Sequence, residues 1–187
     1  MRPIKGVSMN PKTNPFSDLA IMQPEEGIVL FYPHVPAKAK QYMNSVLETR
    51  WIGQGPKVEQ FECQLQETLG LDAACIATGS GTDALHLAYL LAKIQKDDEV
   101  LCPLFTCTAT NLPLLYIGAK PIFVDVDPVT LNVCPDDLEA KITDRTRAIV
   151  IMHYGGLPCD LDRIIALANK YEIPVIQDSA HALGAKY

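Results

Sequence analysis

Two well-separated segments carry side chains that could do chemistry together. In Cys75-Ile-Ala-Thr-Gly-Ser-Gly-Thr-Asp-Ala-Leu85, two glycines turn a strand-like run into the start of a helix. Such a turn leaves free backbone N–H groups and the positive end of a helix dipole facing outward, which is a seat for a phosphate. The second segment, Val175-Ile-Gln-Asp-Ser-Ala-His-Ala-Leu-Gly184, reads as a buried strand ending in the carboxylate of Asp178. It ends at the edge where open α/β sheets bind ligands. Taken alone, Asp178 serves equally well as a turn former, the reading given to Asp125 and Asp127 beside Pro128. A carboxylate leaving a buried strand is costly unless paired, however. Together with a phosphate seat, it suits a salt bridge to a protonated pyridine nitrogen, which lets the ring accept electrons from a carbanion. The combination points to pyridoxal phosphate.

Other readings of these residues compete. Gly79-Ser-Gly-Thr-Asp-Ala84 also matches a Gly-x-Gly-x-x-Ala dinucleotide fingerprint, which requires an acidic residue at the end of the next strand. Here Asp97, Asp98 and Glu99 precede that strand, and it ends in Cys102-Pro103-Leu104, so the carboxylates are at the wrong end. The plain alternative is a helix start capped by Ser80 or Thr82. His181 follows Asp178 closely enough to lie beside the same ring, although a lone histidine is more often structural. His153-Tyr-Gly-Gly156 ends another strand on that edge, and His153 is a candidate substrate contact. Cys102, Cys107, His153 and Cys159 lack the close pairing of a zinc site.

The elements that must position these residues alternate. The spacing predicts helices over Lys38–Arg50 and from Val58 to Leu69, separated by a Gly53-Gln-Gly-Pro56 break. It then predicts a strand at Ala73–Thr78 and a helix at Thr82–Ile94 with Leu85, Ala88, Leu91 and Ala92 inward. A strand at Glu99–Cys102, a helix at Thr106–Ile117 closed by Gly118, and a strand at Pro121–Val126 follow. The series ends with a helix at Pro135–Ile142, a strand at Ala148–His153, a helix at Asp160–Tyr171 with Leu161, Ile164, Ile165 and Ala168 inward, and a fifth strand at Pro174–Gln177. Strand–helix alternation implies an α/β fold with a mainly parallel sheet covered on both faces. Residues 1–27 are polar and proline-punctuated and read as an arm, which leaves 28–187 as the folded domain. The last strand has no crossover helix after it within the chain, so a larger domain is expected.

The bulk properties exclude several classes. A net charge of −6 and a pI near 5.1 leave no basic patch for nucleic acid. No apolar run is long enough for a bilayer, and Met1-Arg-Pro-Ile-Lys lacks the apolar core of a signal peptide. A cytoplasmic chain is therefore expected, with its six cysteines as reduced thiols.

From about Phe31 to Tyr187 the chain resembles the DegT/StrS-type sugar aminotransferases, pyridoxal-phosphate enzymes of the aspartate aminotransferase fold. The resemblance is carried by Arg50-Trp-Ile-Gly-Gln-Gly-Pro-Lys-Val-Glu-Gln-Phe-Glu62, Gly81-Thr-Asp-Ala-Leu85, Pro121-Ile-Phe-Val-Asp-Val-Asp127, His153-Tyr-Gly-Gly with Cys159-Asp160, and Asp178-Ser-Ala-His-Ala-Leu-Gly184. It implies a three-layer α/β/α large domain of fold type I, incomplete on its C-terminal side. Ser80, Gly81 and Thr82 should hold the cofactor phosphate, Asp178 the pyridine nitrogen, and His181 should lie near the ring. Cys107 stands where the family often stacks an aromatic. Members are typically homodimers, and the Trp51 loop would approach the partner's active site. The implied reaction is amino transfer, usually from glutamate, to a keto group of a nucleotide-linked sugar, as in amino-sugar and polysaccharide biosynthesis. The Schiff-base lysine is expected beyond Tyr187, so this chain should be inactive alone. A family dehydratase variant with histidine in place of that lysine, and a truncated non-catalytic relative that binds cofactor or sugar nucleotide, are the alternatives.

Overall fold

The computed structural model describes residues 34–187. The chain divides between Gly53 and Gln54 into two compact units. The expected arm, and its boundary after residue 27, lie outside the described residues. Helix α1 (Ala37–Thr49) belongs to the first unit and ends on Arg50 in the left-handed region, with φ 61°. The second unit begins with α2 (Pro56–Leu69), which has proline in its first turn and Gly70 as its left-handed C-cap.

Four strands follow, interleaved with four helices: α3 (Gly81–Leu91), β1 (Glu99–Pro103), α4 (Thr108–Ile117), β2 (Lys120–Val124), α5 (Pro135–Lys141), β3 (Thr146–Met152), α6 (Leu161–Tyr171) and β4 (Val175–Asp178). The strands form one parallel sheet in the order β2-β1-β3-β4. The chain runs outward from β1 to β2, then returns across β1 to β3 and continues to β4. Its direction therefore reverses between β1 and β3, and that switch point is where open α/β sheets bind ligands.

Strand alternation sorts the core into two layers. Leu101, Ile149 and Ile151 meet Leu138 of α5 and Ile164, Leu167 and Ala168 of α6 on one face. Val100, Cys102, Ala148 and Val150 meet Leu85 and Tyr89 of α3 and Leu114 of α4 on the other. The expected three-layer arrangement is present.

Three expectations need correction. Ala73–Thr78 forms no strand, because no sheet edge among the described residues pairs with it. Its Ala77 N–H is taken instead by Glu62 Oε1 of α2 at 2.7 Å. On α3, Leu91 points outward at 72% exposure, and Tyr89 fills the position expected of it. On α6, Leu167 is buried and Ile165 is exposed. In the last two cases several apolar residues compete for one helical stripe, and sheet contact rather than hydrophobicity decides between them.

Candidate functional site

The N-terminus of α3 is built by Ser80. Its side-chain oxygen accepts from the Asp83 N–H at 3.1 Å, and Thr78 Oγ1 donates to the Ser80 carbonyl at 2.9 Å. The N–H groups of Gly81 and Thr82 have no acceptor among the described residues, as the opening of a helix requires. A Cβ added to Gly81 would meet nothing within 4 Å, so nothing crowds the α-carbon at this turn. Asp83 already brings one negative charge to this terminus, and its Oδ2 lies 2.9 Å from a Cβ added at Gly79. The capping role and the free donors coexist.

Asp178 ends β4 at 8% exposure. By strand alternation it shares the face of Ile176, the α3/α4 side. Its Oδ1 accepts from the Ala180 N–H at 3.1 Å, closing an Asx turn, and its Oδ2 accepts from Thr110 Oγ1 at 2.7 Å. Among the described residues no lysine or arginine pairs with it. Thr110 lies in the first turn of α4 and also contacts Thr106 Oγ1 at 2.7 Å, and its carbonyl accepts from the Tyr89 hydroxyl at 2.6 Å. Burial first, then the nearby Cys102 thiol and Asp178 carboxylate, pushes the Tyr89 phenol far above its usual range, so it stays a donor. Sequence reasoning missed Thr106, Thr110 and Tyr89. The spacing of two threonines one helical turn apart after β1 was the available signal.

His181 is exposed. Its Nδ1 accepts from the Gly155 N–H at 3.2 Å, and its ring meets Tyr154 edge-on at 5.9 Å. Tyr154 in turn packs on Phe105 at 4.7 Å. An aromatic row thus joins the loops that follow β1, β3 and β4, and its Phe105 and Tyr154 members were not foreseen. Cys107 caps α4 without a side-chain hydrogen bond and is exposed.

His153 is placed differently. It shares the parity of Ile149 and Ile151 and lies on the α5/α6 face, opposite Asp178. Its Nδ1 accepts from the Cys159 N–H at 3.1 Å, and its Nε2 lies 2.9 Å from Gln177 Oε1. Nδ1 is the acceptor, so Nε2 carries the proton and donates to Gln177. Both ring nitrogens are committed within the protein. Trp51 is exposed in the first unit, and its backbone N–H donates to Thr49 Oγ1 at 3.2 Å.

The geometry gives two complementary features on the α3/α4 side of the sheet: free amide donors at a helix opening, and a buried carboxylate with no cationic partner among the described residues. α3 packs on α4 and reaches β4, so both features belong to one packed assembly. Chemically the pair suits a small molecule with an anionic group and a protonated ring nitrogen.

Comparison with known proteins agrees. An aminotransferase from Psychrobacter cryohalolentis is 37% identical with a TM-score of 0.77, over 84% of this chain and 40% of its own length. Spr1654 from Streptococcus pneumoniae, described as a sugar aminotransferase and solved in PMP- and PLP-forms, is 28% identical with a TM-score of 0.78 in the PMP-form, over 84% of this chain and 43% of its own. A GDP-4-keto-6-deoxymannose-3-dehydratase with a trapped PLP-glutamate geminal diamine is 26% identical with a TM-score of 0.78, over 86% of this chain and 43% of its own. The chain thus spans less than half the length of each. These likenesses bear out the α/β fold of type I aminotransferases. The family profile, described as the DegT/DnrJ/EryC1/StrS aminotransferase family, matches residues 33–187, over four-fifths of the sequence, and this chain therefore belongs to that family.

Proposed function

We propose that this chain is the N-terminal part of a pyridoxal-phosphate-dependent aminotransferase that acts on a nucleotide-linked keto sugar, with glutamate as amino donor. The observation that carries the reading is Asp178, a buried carboxylate held by two neutral donors with no cation beside it among the described residues. A protonated pyridine nitrogen is the partner such a group lacks. The Gly81 and Thr82 amides, with the Ser80 hydroxyl hydrogen, suit the phosphate. When bound, the cofactor supplies an electron sink for the substrate carbanion. Asp178 contributes by keeping the ring nitrogen protonated, and the α3 opening by fixing the phosphate end. His181, on the loop beside Asp178, borders the ring, and Cys107 faces it from the α4 cap with less stacking area than an aromatic gives.

The relatives, all longer, support assigning the reactive lysine and the second domain to sequence outside this stretch. The likeness to a glutamate-bound dehydratase favours a second reading, in which the longer protein removes a sugar hydroxyl. The six free cysteines support a reducing, cytoplasmic setting, and no described helix is long and apolar enough to cross a membrane. A homodimer with the Trp51 loop at the partner's site completes the proposal.

The test is equilibrium titration of the 187-residue chain with pyridoxamine phosphate and with pyridoxamine. Saturable binding is expected, weakened about tenfold or more by Asp178→Asn and by loss of the phosphate. Equal affinity of wild type and Asp178→Asn refutes the reading. Amination of nucleotide-linked keto sugars by the chain joined to the C-terminal remainder its relatives carry, using labelled glutamate, separates the transferase from the dehydratase.

A further inference from the structure

Thr110 is fully buried, and three separate contacts fix it. Its hydroxyl donates to Asp178 Oδ2 at 2.7 Å, Thr110 Oγ1 also lies 2.7 Å from Thr106 Oγ1, and the Thr110 carbonyl is clasped by the Tyr89 hydroxyl at 2.6 Å. A threonine in a helix ordinarily turns its hydroxyl to a carbonyl three or four residues back. Here it turns across to β4 instead. The proton order follows from valence: a hydroxyl has one hydrogen, and an ionised carboxylate only accepts. The Thr110 hydrogen therefore goes to Asp178, and Thr106 must donate to Thr110 in turn. Met152 Sδ, 3.2 Å from Thr106 Oγ1, then receives no proton and serves as a packing contact. The two carboxylate oxygens are held from different directions, one by the start of α4 and the other by the turn after β4.

We infer that Thr110 is the positioning residue for the Asp178 carboxylate, aiming it at a cofactor ring nitrogen, with Thr106 setting the direction of the Thr110 hydroxyl. The inference rests on the cofactor reading above. Thr110 does not touch the ligand: its effect reaches the ring only through Asp178. A carboxylate aimed at the ring nitrogen accepts its N–H, and that contact keeps the ring nitrogen protonated.

The experiment uses the 187-residue chain and pyridoxamine phosphate labelled with 15N in the ring. Affinity is measured by titration, and the ring 15N chemical shift reports whether the nitrogen carries a proton. Wild type and Thr110→Ser should bind alike and show a protonated ring. Thr110→Val, which keeps the shape and removes the donor, should bind about tenfold more weakly, about 1.4 kcal/mol, with the 15N signal moved toward the unprotonated position and circular dichroism unchanged. If Asp178→Asn weakens binding but Thr110→Val matches wild type in affinity and 15N shift, the inference is overturned and the cofactor reading stands. If wild type does not bind, or Asp178→Asn binds as wild type does, the cofactor reading fails and the inference falls with it. Should Thr110→Val not fold, Thr106→Val decides. It leaves Thr110 and Asp178 in place and should weaken binding roughly twofold to threefold with a partial 15N shift, and an unchanged affinity and shift overturn the inference.

Discussion

Gly155 and Gly156 both sit in the left-handed region, with φ 60° and 85°, in the turn that follows β3. They differ in what a side chain would meet. A Cβ at Gly155 finds open space, whereas a Cβ at Gly156 would lie 2.9 Å from the His181 carbonyl oxygen, a backbone atom that cannot rotate aside. An L-residue in this region costs about 1–2 kcal/mol, partly offset by the lower entropy of the unfolded alanine chain. Gly155→Ala should thus destabilise by about 1 kcal/mol, roughly 2–4 °C in Tm for a domain of this size. Gly156→Ala adds the cost of forcing the Asp178–His181 loop outward, about 1–3 kcal/mol by analogy with overpacking, for roughly 4–16 °C in total. Thermal denaturation followed by circular dichroism compares the two, and pyridoxamine phosphate titration reads the displacement of the loop. Gly156→Ala should weaken cofactor binding, and Gly155→Ala should not. Equal Tm values for the two variants would refute the reasoning, because the shared backbone strain would then be the whole effect and the close approach to His181 would carry no energy.

Two further outcomes follow from the buried groups. His153→Ala strands the buried Cys159 N–H, while the exposed Gln177 side chain turns to water, so it should destabilise the domain by about 1–3 kcal/mol while leaving the ring-nitrogen shift of bound pyridoxamine phosphate unchanged; normal stability with lost nucleotide-sugar binding would instead make His153 a substrate contact. Thiol labelling at pH 8 (about the free-cysteine pKa) should sort the cysteines by protonation: burial pushes Cys102 up to about 12 and Cys159 up to about 11, so both stay protonated and unreactive in the folded state, whereas exposed Cys63 and Cys107 react. Mass spectrometry after brief alkylation reads the sites, and early labelling of Cys102 would contradict the burial.

Local chemistry in the sequence located some helix ends but not all, since α3 stops at Leu91 rather than Ile94 and α4 starts at Thr108 rather than Thr106. Gly70 and Gly118 close α2 and α4, and Asp160 and Ser80 cap α6 and α3 through their side chains. Each of those signals acts within one turn of the chain. Ala73–Thr78 reads as a strand by composition, yet whether it becomes one depends on a partner far away in sequence, and Glu62 supplies a side-chain acceptor instead. Asp178 was visible as a carboxylate at a strand end. Its link to Thr110 spans 68 residues and could not be read from spacing. His153 shows the same limit from the other side. The sequence puts it at the ligand edge of the sheet, but only the alternation of β3 against the observed core reveals that its ring turns to the opposite layer.

That alternation assigns the strand ends two separate tasks. In β4, Gln177 faces the α5/α6 layer and accepts a hydrogen bond from His153 Nε2, while its neighbour Asp178 faces α4 and accepts one from the Thr110 hydroxyl. Met152 lies opposite Asp178 in the register, so the last rung of the β3–β4 ladder is also the last rung before the site. A strand end is where a sheet frays most easily, because hydrogen bonds stop there and nothing beyond restrains the chain. The His153–Gln177 bond and the Cys159 N–H to His153 brace that rung from the layer that does not face the carboxylate. The other layer is left with neutral donors around Asp178, a hydroxyl and a backbone amide, and no positive charge among the described residues that would occupy the carboxylate before a ligand arrives. Bracing with an arginine or lysine on the Asp178 side would steady the strand equally well but would neutralise the carboxylate that the proposed function needs free for a protonated ring. The division of labour between the two faces is thus what lets a buried carboxylate be both held in place and still available.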